Sequence, residues 1–327
     1  MSEYHFKKIL IMPAAGLGDF LMAAPAIKAL RENYKNAYIA VLAHHSRGAV
    51  QIGKCLPFID EVIDFPLKKY SWPSVICFFL SSFWLMFFRL REEKFDACFI
   101  FNSNPIRTII TKLLGVKTFE VKKQGHPTQT ALDLLSGLGI KTDNIDFGLV
   151  VPDVDISKYI PADAPRPWIG LHPFSGMKWR GWKNYTDFIN TLPKNATVII
   201  LGRDSEHNAT AGKKNVIDLI NKLNIIELVA VISKLNLLVS VDSGPMHIGF
   251  AAQTPTLGIF NTVRPENRMP LTSKVSHSAI WDNKFNAEET TVKERTTKGR
   301  RPGIVDTERI AAAVKECMRK NSISFSQ

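Results

Sequence analysis

Cysteine is scarce in this chain. Its 327 residues include four, Cys55, Cys77, Cys98 and Cys317, with no C-x-x-C pair and no neighbouring histidine cluster. Zinc-ribbon and dithiol redox chemistry are therefore unsupported, and the thiols read as buried groups of a protein kept in a reducing compartment. No apolar stretch reaches the roughly 20 residues that a membrane-crossing helix needs. Met1 to Lys8 lacks the basic region, apolar core and small-residue cleavage site of an export signal, so a cytoplasmic location is expected. Repeats and low-complexity tracts are also missing. Acidic residues are the scarcer charge: 30 Asp and Glu face 42 Lys and Arg, a formal charge of +12. That excess favours something anionic, such as phosphorylated sugars, acidic lipid surfaces or nucleic acid. No RNA- or DNA-binding motif accompanies it, so no nucleic-acid partner is expected.

What is present is a globular composition, 45% hydrophobic and 22% charged, in a chain long enough for two α/β domains. Apolar runs of strand type alternate with stretches of helical spacing. Strands are expected at Lys8 to Pro13, Ala37 to Ala43, Glu61 to Phe65, Phe95 to Phe101 and Lys117 to Val121. Helices are expected over Phe20 to Asn33, near Gly48 to Cys55, from about Trp72 to Arg91, and over Pro105 to Leu114. Prolines 152, 161, 165 and 167 then break the pattern, which places the linker at 151–167 between domains 1–150 and 168–327. The second series has strands at Trp168 to His172, Ala196 to Leu201, Leu237 to Asp242 and Thr256 to Phe260. Its helices are expected at Asn184 to Leu192, Ile225 to Lys234 and Pro245 to Ala252, with a closing helix near Asp306 to Lys320. Regular βα alternation of this kind implies parallel sheets covered on both faces.

Three segments carry chemistry. Gly16-Leu17-Gly18-Asp19 follows the first strand, where glycines admit a ligand close to the backbone and a helix start favours anions. A dinucleotide fold is discounted: Leu21 stands where the third glycine of G-x-G-x-x-G belongs, and the second strand ends in Ala43-His44-His45 without a ribose-binding acid. Asp19 reads either as the helix N-cap or as a general base. Asp242-Ser243-Gly244-Pro245-Met246-His247 turns an apolar strand sharply into a helix. Ser243 and Gly244 offer amides, Pro245 suits the first turn, and His247 could donate to phosphate or ribose, so the turn suits a diphosphate. A capped βα turn accounts for Asp242 and Pro245 but leaves Ser243, Gly244 and His247 unexplained. The loop His172 to Trp182 adds Ser175, Gly176, Lys178 and Arg180, which read as a second phosphate or acidic-sugar contact or as a solvated basic loop over Trp182.

Together these segments, with Ala24-Pro25-Ala26, Leu30, Glu227 to Ala230 and Thr254-Pro255-Thr256, resemble glycosyltransferase family 9, the ADP-heptose:lipopolysaccharide heptosyltransferase family. The resemblance implies a GT-B fold, two Rossmann-like domains with parallel sheets facing a central cleft. Acceptor would be held mainly by the N-terminal domain, with Gly16 and Gly18 beside it, and nucleotide sugar by the C-terminal domain. It implies that Asp19 is the catalytic base of an inverting transfer. Asp242, Ser243, Gly244, Pro245 and His247 bind the donor, helped by Arg180, Lys178 and Ser175. Arg180 departs from the family's usual Lys, and Asn261 to Pro265 departs from its Phe-Gly-Pro-Thr region. ADP-heptose is the implied donor and a lipid-linked or lipopolysaccharide core acceptor the implied partner. A transferase using another nucleotide sugar, or a non-catalytic sugar-nucleotide binding module of the same fold, is the alternative. No cofactor and no metal are expected, since the one Asp-x-Asp, Asp153-Val154-Asp155, falls in the linker.

Ser74 to Phe88 is apolar almost all round and is followed by Arg89, Arg91 and Lys94. Part of that surface must pack as a crossover helix. Its outer face is read as resting on the inner membrane, which would make the protein peripheral there. The basic stretch with Lys293, Arg295, Lys298, Arg300 and Arg301 reads as a solvated loop or as a contact for anionic lipid or phosphorylated sugars.

Overall fold

Alternating apolar runs fold here into two separate α/β units, Met1–Val150 and Val151–Gln327. The computed structural model describes residues 4–14, 16–44, 48–65, 82–103, 105–122, 125–176, 181–204, 215–261, 263–281 and 305–324. Cys77, the first part of the helix expected from Trp72, Lys178, Arg180 and the basic stretch at 293–301 lie outside the described residues.

The first unit runs β1 (Lys8–Met12), α1 (Leu17–Asn33), β2 (Tyr38–His44), α2 (Ala49–Gly53), β3 (Glu61–Phe65), α3 (Ser82–Glu93), β4 (Ala97–Ile100), α4 (Pro105–Leu114), β5 (Lys117–Glu120) and α5 (Pro127–Ser136). Its five strands are ordered β3-β2-β1-β4-β5 and all neighbours are parallel. Central strands of such a sheet are covered on both faces and need side chains that are apolar on both. Ile9, Leu10 and Ile11 of β1 are accordingly fully buried. α1 is apolar nearly all round because α5 covers it from outside; Thr128 of α5 donates to the Met22 carbonyl at 2.8 Å, beside Pro25. On the opposite face α3 and α4 pack side by side, with Met86, Phe87, Leu90 and Ile110 set against Leu10, Leu42 and Cys98.

The second unit runs β6 (Trp168–His172), α6 (Tyr185–Ile189), β7 (Thr197–Ile200), β8 (Val216–Asp218), α7 (Ile225–Lys234), β9 (Leu237–Val241), α8 (Gly244–Ala251), β10 (Thr256–Phe260), β11 (Ser278–Trp281) and α9 (Thr307–Lys320). Strand order is β11-β10-β9-β6-β7-β8, again parallel throughout. Residues 151–167 have no regular element, yet they are tied into this unit. The Ala164 carbonyl accepts from Trp168 Nε1 at 3.0 Å, the Pro165 carbonyl accepts from Thr197 Oγ1 at 2.6 Å, and Lys158 pairs with Glu227 at 3.0 Å.

Local chemistry sets the helix ends. Asn224 and Glu227 form a capping box at α7: the Asn224 side chain accepts from the Glu227 amide at 3.0 Å, and Glu227 accepts from the Asn224 amide at 2.9 Å. The Glu227 carboxyl is held down to about 2, first by a hydrogen bond from the Tyr159 hydroxyl, then by the Asn224 amide and Lys158. Asp306 caps α9 by accepting from the Glu308 amide at 3.1 Å. Among the described residues no helix is long and apolar enough to cross a membrane.

Candidate functional site

In a doubly wound sheet the chain leaves the first and fourth strands in opposite lateral directions, which opens a crevice at their carboxyl ends. Each unit has one. In the first unit it lies between β1 and β4, where α1 begins. The helix is capped by Gly16, with extended dihedrals of φ −83° and ψ 152°, and not by Asp19, which is the third helical residue. This corrects the N-cap reading: the strand ends early enough to place Asp19 one turn further along, half-buried, with its carboxylate turned back toward Gly16. A Cβ on Gly16 would sit 2.6 Å from Asp19 Oδ2, so glycine leaves room for the carboxylate. Across the crevice Arg107 of α4 donates to the carbonyls of Met12 at 3.4 Å and Asn102 at 3.2 Å. Burial lowers the Arg107 pKa, and the negative charge of Asp19 is among the influences that raise it, so the pair share one electrostatic field. Guanidinium stays protonated regardless.

The second crevice lies between β6 and β9. His172 ends β6 and is in register with Ser240 of β9. Its Nδ1 lies 3.3 Å from Ser240 Oγ and 3.1 Å from Ser243 Oγ, while both hydroxyls donate to the Val241 carbonyl, at 2.9 and 3.0 Å. In the tautomer with the proton on Nδ1, His172 donates to the serine oxygens while their own protons go to the Val241 carbonyl. Burial pushes the His172 pKa down to about 4, so the ring is neutral at physiological pH. Ser243 is the N-cap of α8 in an extended conformation, and its side chain makes no capping bond. Gly244 and Pro245 form the first two helical positions. The amino end of α8 therefore meets the carboxyl edge of the sheet, where first-turn N–H groups lack intrahelical acceptors. Asp242 and His247 are both buried, with His247 Nε2 4.0 Å from Asp242 Oδ1, and the His247 ring meets Phe250 edge-on at 5.7 Å.

Close packing fixes that helix end. A Cβ on Gly249 would stand 2.6 Å from Thr256 Oγ1 and 2.7 Å from Leu238 Cδ2, both in fully buried side chains. The loop after β6 is anchored where it returns: the Trp182 amide donates to the Pro173 carbonyl at 2.8 Å, and the Trp182 ring packs 5.1 Å from Phe188. Ser175 is half-buried on this loop and Gly176 is exposed. Gly16, Gly18 and Asp19 thus share the first crevice, and Asp242, Ser243, Gly244, Pro245 and His247 share the second, with Ser175 on the neighbouring loop. Two side chains went unmarked by the sequence, His172 as a hydrogen-bonding partner of Ser243 and Arg107 as a partner of Asp19. Only the strand order brings them there. Among the described residues no three His, Cys, Asp or Glu side chains gather as a metal site.

This architecture has known counterparts. The chain is 24% identical over 280 residues to lipopolysaccharide heptosyltransferase 3 of Escherichia coli, covering 74% of this chain and 80% of that one. Its fold matches a family 9 glycosyltransferase from Veillonella parvula with a TM-score of 0.73 at 17% identity, over 96% of this chain and 97% of the other. It matches E. coli ADP-heptose LPS heptosyltransferase II with a TM-score of 0.72 at 15% identity, over 96% and 99%. Two doubly wound units of this kind are the GT-B fold. Residues 136–299 match the model of glycosyltransferase family 9 (heptosyltransferase), and the chain belongs to that family.

Proposed function

We propose that the protein transfers heptose from ADP-heptose, with inversion, to a lipopolysaccharide core or related glycan acceptor. The acceptor binds to the first unit and the donor to the second. The observation that carries this reading is the second crevice, where Ser243, Gly244 and the amino end of α8 stand at a switch point with a neutral imidazole fixing the serine hydroxyl. Such an end favours a diphosphate, and preorganised donors there stabilise the charge that develops as ADP departs. The name of one structural relative pairs ADP-heptose with LPS, and that of the sequence relative gives lipopolysaccharide and heptose transfer.

In the reaction Asp19 takes the proton of the acceptor hydroxyl while its oxygen attacks the anomeric carbon. The bond from that carbon to the donor phosphate oxygen breaks, and ADP leaves with the electron pair. Attack opposite the leaving group inverts the anomeric centre. Gly16 and Gly18 let the acceptor approach the backbone, and Arg107 holds the field around Asp19. Asp242, with His247 Nε2 4.0 Å away, faces the donor sugar. Pro245 presets the first turn of α8, and Ser175, Lys178 and Arg180 add polar contacts to the donor. The developing charge meets amides and cations, so transfer proceeds without a metal. The reaction is placed in the cytoplasm, at the inner membrane.

Donor choice is tested by thermal unfolding with a panel of ADP- and UDP-sugars. A ligand at about 100 times its dissociation constant stabilises the fold by about 2.7 kcal/mol. ADP-heptose is expected to raise the midpoint by several degrees and UDP-sugars to leave it unchanged; stabilisation by UDP-sugars alone would overturn the donor assignment.

A further inference from the structure

Large hydrophobic side chains at the surface are unevenly distributed in this protein. Seven are exposed among the described residues, and four of them stand on the two adjacent helices of one face: Trp84 and Phe88 on α3, Ile109 and Leu113 on α4. Each pair is spaced i, i+4, so each forms a stripe along its helix. Neither stripe is the core-facing one. On α3 the sheet is covered by Met86, Phe87 and Leu90, and on α4 by Ile110, which leaves the four residues 46 to 56% exposed on the outward side. The Trp84 and Phe88 rings lie 5.8 Å apart and form one aromatic surface.

The charges around these stripes are of one predominant sign. The exposed charges on α3 and α4 are Arg89, Arg91 and Lys112 against one acid, Glu92, and α4 contains no acid. Lys112 is exposed between Ile109 and Leu113, and Arg91 is exposed on α3. An apolar stripe with a tryptophan and flanking cations suits the boundary between lipid headgroups and acyl chains, where the rings bury their faces and the cations meet anionic headgroups. A helix that served only as a crossover would present polar residues on this side.

We propose that the outer face of α3 and α4 is a docking surface for an anionic lipid bilayer, with Trp84, Phe88, Ile109 and Leu113 inserted at the interface and Arg91 and Lys112 on headgroups. The surface belongs to the first unit alone, and its existence does not depend on the donor or on the reaction. Vesicle flotation tests it with the full chain and two variants, Trp84→Ser/Phe88→Ser and Ile109→Ser/Leu113→Ser. Because all four side chains are exposed, both variants should unfold near the wild-type midpoint. Wild type is expected to float with vesicles of mixed phosphatidylglycerol and phosphatidylcholine, and at least about fivefold less with phosphatidylcholine alone, since the anionic charge supplies part of the attraction. Each variant is expected to lose most of the bound fraction on the mixed vesicles. Absence of wild-type flotation on mixed vesicles would overturn the proposal, as would variants that float like wild type. Concentration-dependent dimers that the variants abolish, without flotation, would assign the face to a second copy of the chain instead.

Discussion

Replacing Asp19 by Asn lowers turnover by roughly 10²- to 10⁴-fold, the range for loss of a positioned general base. The donor dissociation constant stays within about twofold of wild type, because the proposed donor groups all belong to the other unit. Magnitudes separate this from a structural role. Asp19 is the third residue of α1, where a carboxylate interacts favourably with the helix dipole by about 0.3–1 kcal/mol. Its loss shifts a melting midpoint slightly and cannot account for two decades of rate. Asn preserves the volume beside Gly16, so the tight contact there is kept. Turnover within about tenfold of wild type would remove Asp19 from the chemistry, whereas donor binding with no turnover in the wild type would favour a binding module.

His172→Leu raises the donor KM by roughly tenfold or more, and His172→Asn restores most of the loss. Leucine fills the space but leaves the Ser243 and Ser240 oxygens without the donor now 3.1 and 3.3 Å away, and an unmet buried polar group costs about 1–3 kcal/mol. Asparagine returns an N–H close to the position of Nδ1. A packing role alone would lower the melting midpoint in both variants and leave KM unmoved. The same residue predicts a pH effect. Its folded pKa, about 4, lies below the ordinary 6.5, so the unfolded chain binds the proton first as pH falls. Stability is therefore fully present above about pH 6.5 and lost progressively toward pH 4, by up to on the order of 3 kcal/mol. His277, likewise pushed down to about 4 by burial, adds to the slope. Calorimetry between pH 7 and 4 should find a shallower decline in His172→Asn than in wild type; equal slopes would contradict the neutral-imidazole assignment.

The fold was legible wherever a strand or helix was long and apolar. Trp168–His172, Ile225–Lys234 and Thr256–Phe260 lie where the sequence puts them, because buried parallel strands and a capped helix leave long apolar runs, and Glu61–Phe65 and Pro105–Leu114 lie where their apolar spacing puts them. Val216–Asp218 and Ser278–Trp281 escaped notice: both are edge strands of three or four residues, too short to show a period and only partly buried. The segment at 151–167 read as a linker from its prolines, but its carbonyls and Lys158 satisfy groups of the second unit, which no local pattern encodes. Asp19 shows how narrow the margin is at a site: whether it caps α1 or points back from the first turn depends on where the helix begins, and the cap falls three residues earlier, at Gly16. The glycine-bearing turns were visible because a glycine or proline at a strand end is a local signal. His172 and Arg107 were not, since their partners are 71 and 88 residues away in sequence and are brought close by strand order.

A transfer assay with metal-free, EDTA-treated protein, ADP-heptose and a deacylated lipopolysaccharide core tests the proposed chemistry most directly, with proton NMR of the product's anomeric centre. One ADP released per sugar transferred, and an anomeric configuration opposite to that of the donor, is the expected result. Retained configuration, or activity that appears only when Mg²⁺ or Mn²⁺ is added, would contradict a single metal-free displacement driven by Asp19.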